Sequence, residues 1–135
     1  MRWSLGPVLS TTLLSFLLPL AAATAQPLRD PGSRAELLGS PPGTVQVDAN
    51  YLAPSPCHYV AGTTLAPPPG ASMPKHAVAL TIVVATRPGG CTRQPTVLRE
   101  MTNVFPDLDT NLVKVFFVSA SGKSLKTEQI PISGL

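Results

Sequence analysis

His76-Ala77-Val78-Ala79-Leu80-Thr81-Ile82-Val83-Val84-Ala85-Thr86 is the stretch on which the fold turns. Val78, Leu80, Ile82 and Val84 fall on one face of an extended chain. Ala77, Ala79, Thr81, Val83 and Ala85 fall on the other. Period-2 alternation with β-branched residues is the signature of a strand. Apolar groups on both faces indicate a central strand covered on both sides, or one apolar face with a thinly polar outer face.

Outward from this strand the same pattern recurs in shorter pieces. Thr44 to Asp48 alternates, with Val45 and Val47 on one face. Cys57 to Val60 is a second short β-like piece, ended by Ala61-Gly62. Pro95 to Phe105 offers a strand of mixed faces. Leu112 to Ser119, LVKVFFVS, is strongly strand-like, and Ser121-Gly122-Lys123 turns it into a returning strand from Ser124 to Ile132. That pair predicts a hairpin with a short Gly-containing loop. Val113, Val115 and Phe117 form its core face, which Ile130 and Ile132 should meet. Proline or glycine stands at each break, and no long helical period intervenes. The expectation is an all-β fold: a small antiparallel β-sandwich, immunoglobulin-like or a partly open barrel, of about six strands. The tryptophan of an immunoglobulin core is missing, because Trp3 lies outside this region.

The chain opens differently. Met1-Arg2 gives a positive start, Leu5 to Leu20 is an interrupted apolar run, and Ala23-Thr24-Ala25 is a small-x-small step. This is the layout of a secretory signal peptide cleaved after Ala25. The run is too short and too polar for a confident membrane span, and no later segment could cross as a helix. The expected organisation is therefore a leader over 1–25, a flexible Pro/Gly-rich arm over 26–42 and a single β domain over 43–135. Within the arm the sequence predicts at most a turn of helix, at Arg34 to Leu38. The expected location is secreted or periplasmic.

Composition narrows the function. Ten basic and seven acidic residues give a net charge of +3, with no cluster of Lys and Arg. Nucleic-acid binding needs a basic stripe with a reading element, so none is expected. Two cysteines, Cys57 and Cys91, in an exported chain imply a disulfide. It would close a loop of about 35 residues and stabilise by about 4 kcal/mol on the chain-entropy estimate.

The residues that could carry chemistry are few. Cys57, His58, His76 and Cys91 match a zinc site in number only: Cys57 and His58 are neighbours on a strand and point apart. No Gly-x-Ser-x-Gly elbow accompanies the serines. Asp107 and Asp109, in PDLDTN, suit a turn better than a cation site. Leu65 to Pro74, LAPPPGASMP, cannot continue a ladder; such a Pro-rich loop can bind a partner, but the plainer reading is a stiff connection. Lys114 shares its face with Phe116, whose ring is either covered by a second layer, the plainer reading, or exposed as a binding anchor; an exposed aromatic beside a lysine is a candidate interaction surface. No catalytic set and no cofactor are expected. The functional expectation is an exported, non-catalytic binding or accessory module for an unknown protein or surface ligand. Two alternatives stand beside it: a small metal-binding protein or enzyme using His58 and His76, and a strand-exchanging assembly subunit.

Overall fold

The computed structural model describes residues 27–40 and 43–135, together with Trp3, Gly6, Pro7 and Ser15. Apart from those four positions, the expected leader with its cleavage step after Ala25 lies outside the described residues. Seven strands follow in chain order: β1 Arg34–Leu38, β2 Thr44–Ala53, β3 His58–Thr64, β4 Ala77–Thr86, β5 Thr96–Val104, β6 Leu112–Ser119 and β7 Ser124–Ser133. No helix occurs among the described residues.

The strands form one sheet in the order β3-β4-β6-β7-β1-β2-β5. It is mixed, not antiparallel as expected. β4 runs parallel to β6, pairing Ala77 with Leu112 through Val84 with Ser119. β1 runs parallel to β7 through Ala35–Ile132 and Glu36–Ser133. Parallel neighbours need a long crossover. β5 supplies it for β4 and β6, because it leaves them and pairs with β2 from Val45–Val104 to Ala53–Thr96.

The expected count of six is also corrected, and the reason is β1. Arg34 to Leu38, read as part of a flexible arm, is a strand held on both sides, by β2 and by β7. Its local signal is weak because only Ala35 and Leu37 face inward, and Gly and Pro flank it. Ladder bonds from two neighbours, not its own pattern, make it extended.

β3 and β5 are the two edges, and the sheet curls until they approach each other, nearly closing a barrel. Following the pairings around the sheet, β3 and β5 run in the same direction. Cys57 immediately precedes β3, and Cys91 lies on the approach to β5. Their disulfide, with Cα atoms 6.0 Å apart, ties the seam at the end where both strands start.

The core lies inside this curl. β4 contributes Leu80, Ile82 and Val84, and β6 contributes Val113, Val115 and Phe117. Val45, Val47 and Ala49 come from β2, with Ile130 and Ile132 from β7. These are the inward faces that alternation predicts. Tyr51 stacks on Phe117 with ring centroids 5.3 Å apart. A bulge between Val60 and Gly62 lets β3 continue to Thr64 past the Ala61-Gly62 break.

Candidate functional site

The outer face of β4 and β6 carries a second, smaller apolar cluster. Ala79, Phe116 and Val118 are buried there, with Ala71, Met73 and Val83 packed against them. The cover is the Pro-rich segment Leu65 to Pro74, which folds back across the strands as a strap. Proline cannot donate to a ladder, so the segment adds no strand to the sheet; Ala71 and Met73 pack it against the outer face.

The strap is pinned at both ends. The Thr81 hydroxyl donates to the carbonyl of Ala66 at 2.6 Å. The Lys114 ammonium donates to the carbonyl of Ser72 at 2.7 Å. Between these points the Ala71 amide bonds the Pro68 carbonyl at 3.1 Å, and Gly70 has φ +77°. Proline followed by a glycine of positive φ is the sequence of a type II turn.

A hollow lies on each side of the strap. One, of about 380 Å³, is bounded by Thr64, Ala66, Pro67, Thr81 and Val118. The other, of about 340 Å³, lies between the strap and β6–β7, against Lys114, Phe116, Ser124 and Thr127. The two share Pro68, Pro69, Val118 and Gly122.

The interaction surface expected at Lys114 and Phe116 is therefore not an open strand face. Phe116 is 6% exposed and Lys114 9%. They line a roofed hollow, with the ammonium 5.1 Å from the ring centroid of Phe116. The strap provides the roof, which no strand pattern could reveal.

The structure separates the remaining candidates. His76 stands just before β4, whereas His58 pairs with Thr86 at the far end of β4. Ten residues of strand place them roughly 33 Å apart, at about 3.3 Å per residue. They share no site. Nδ1 of His58 lies 2.9 Å from the Ser55 hydroxyl and 3.2 Å from the Ser55 carbonyl oxygen, within a local turn. His76 holds a φ of +59°, and its carbonyl accepts from the Asn111 amide at 3.0 Å. Cys57 and Cys91 are joined to each other, so neither is a thiolate ligand. Asp107 closes a turn through its carbonyl, which accepts from the Thr110 amide at 3.1 Å.

One polar cluster was missed from the sequence. Lys126 pairs with Asp30 at 2.5 Å and with Glu128, and donates to the Asn50 carbonyl at 3.2 Å. The backbone amide and hydroxyl of Ser33 donate to Glu128, and the Asn50 amide donates to the Ser33 hydroxyl. Burial alone would raise the Asp30 pKa, but the Lys126 ammonium and the Gly32 amide hold it below the ordinary value. Burial alone would lower the Lys126 pKa, but Asp30 and Glu128 hold it above. The hydrogen-bonded Arg99 guanidinium, at 2.8 and 2.9 Å, holds the Asp48 carboxyl low on the outer face. A signal for this cluster existed. Lys126 and Glu128 share the inward face of β7 with Ile130 and Ile132, so alternation points them inward.

Neither a protein-family model, nor a curated protein, nor a solved structure matches this chain. The geometry of the strap and its hollows carries the functional argument by itself. Among the described residues, no helix is long and apolar enough to cross a membrane.

Proposed function

We propose that the chain is an exported, non-catalytic binding module whose recognition surface is the strap and its two hollows. The observation that carries the reading is the pinned strap. Merely to link β3 to β4, the twelve-residue connection needs no bonds to β4 and β6, yet this one is fixed to both. A loop held rigid by the scaffold beneath it loses little entropy on binding. The hollow volumes fall in the range of ligand sites, about 300 to 1,000 Å³. The wide separation of His58 and His76 supports binding over catalysis. Export is supported by the Met1-Arg2 start, the apolar run and the Ala23-Thr24-Ala25 step. The sheet order, with its tied seam, favours the partly open barrel over the sandwich.

The test compares two faces of the exported protein. A photoreactive residue is placed at Ser72 on the strap or at exposed Met101 on β5. The protein is recovered from medium or periplasm after irradiation, and added mass is read on the intact chain. Adducts at Ser72 that are absent at Met101 are expected. Equal labelling at both, or none at Ser72, overturns the reading.

A further inference from the structure

We propose that the hollow between the strap and β6–β7 binds a small amphipathic monocarboxylate, with its carboxylate on Lys114. This rests on the reading of the strap face as the recognition surface, and names its ligand.

The argument starts from the charge balance. Lys114 is 9% exposed and carries three N–H donors. The structure gives it one acceptor, the Ser72 carbonyl, and the face of Phe116. Among the described residues no carboxylate pairs with it, whereas Lys126 holds two and Arg99 holds one. A buried ammonium without a counter-charge is strongly destabilising. This one is kept, and it lines a hollow of about 340 Å³.

The lining then selects the ligand. One lysine matches one negative charge. A phosphate group carries about −1.5 to −2 at neutral pH, and Lys114 is the one cation lining this hollow among the described residues. The hydroxyls of Ser124 and Thr127 lie along the same hollow and can donate to carboxylate oxygens. Register places Thr127 directly beside Phe116 on the neighbouring strand. Phe116, Val118 and the proline rings form an apolar wall for a hydrocarbon body. A neutral ligand of the same shape would fill the wall and leave the ammonium uncompensated.

Octanoate and octanamide test this, because they match in length and differ in charge. Two-dimensional amide NMR of the mature protein is titrated with each. Octanoate should move the resonances of Ser72, Lys114 and Thr127. Octanamide should bind about tenfold more weakly, the difference one charge-assisted bond makes. Lys114→Met should abolish the preference, and Lys114→Arg should keep it. Equal binding of the two probes, shifts confined to another face, or no shift with octanoate at millimolar concentration each overturn the proposal. The wild-type comparison alone decides the matter if Lys114→Met does not fold. Failure of octanoate leaves Ser72 labelling standing, because that readout does not depend on ligand charge.

Discussion

Phe117 shows how much one position on a strand settles. It sits on the Val113–Val115–Phe117 face, and the structure leaves it 1% exposed against Tyr51. Its neighbour Phe116 points the other way, into the strap cluster. Two adjacent rings thus serve two separate cores. Lys126 lies over Phe117 at 5.5 Å from the ring centroid, so the same ring also supports the polar cluster. Phe117→Ala should cost about 3 to 5 kcal/mol, as buried aromatic truncations do. Urea unfolding of the purified protein measures this, and a loss under about 1 kcal/mol would place Phe117 outside the core. Lys114 teaches the opposite lesson. Its strand position turns it away from the main core, yet it is buried, because a distant loop covers it.

Among the elements, the edge strands and the disulfide belong together. β3 and β5 each have one ladder partner, β4 and β2 respectively. Their free edges meet across the seam that Cys57 and Cys91 tie. Exposed edges invite pairing with other chains, and closure is the general remedy. Replacing both cysteines by serine should cost about 2 to 5 kcal/mol. The loss should be local in character: amide exchange should quicken in β3 and β5 before it does in β4 and β6. Uniform acceleration across all seven strands would mean the bridge acts only on the unfolded chain. β1 is the element whose existence the sequence concealed. Five residues with two inward side chains carry little pattern, and pairing with β2 and β7 decides their conformation.

At the scale of the whole molecule, ion pairs bring distant segments together. Asp30 before β1 meets Lys126 in β7, and Asp48 in β2 meets Arg99 in β5. Both aspartates titrate below their ordinary value of 3.8 in the folded state. Their stabilisation is therefore complete above that value and is lost as pH falls through the lowered folded values. Lys126 is raised above 10.5, so its contribution is present below that value and disappears as pH rises past the folded one. Melting temperature should be flat near neutrality and fall between about pH 5 and pH 2. Asp30→Asn should reduce that acid-side slope in thermal melts. An unchanged slope would show that the Asp30–Lys126 pair holds nothing together.

Strand identity, face assignment and the disulfide were legible along the chain, because each depends on neighbours two residues apart or on a count of two cysteines. The inward sets of β2, β4, β6 and β7 follow from alternation alone. Parallel pairing of β4 with β6, the recruitment of β1, the near-closure of the sheet and the strap over Lys114 and Phe116 were not legible. Each depends on which segments meet across many residues of intervening chain. Local alternation says which side of a strand is apolar, but only tertiary contact decides what covers the other side.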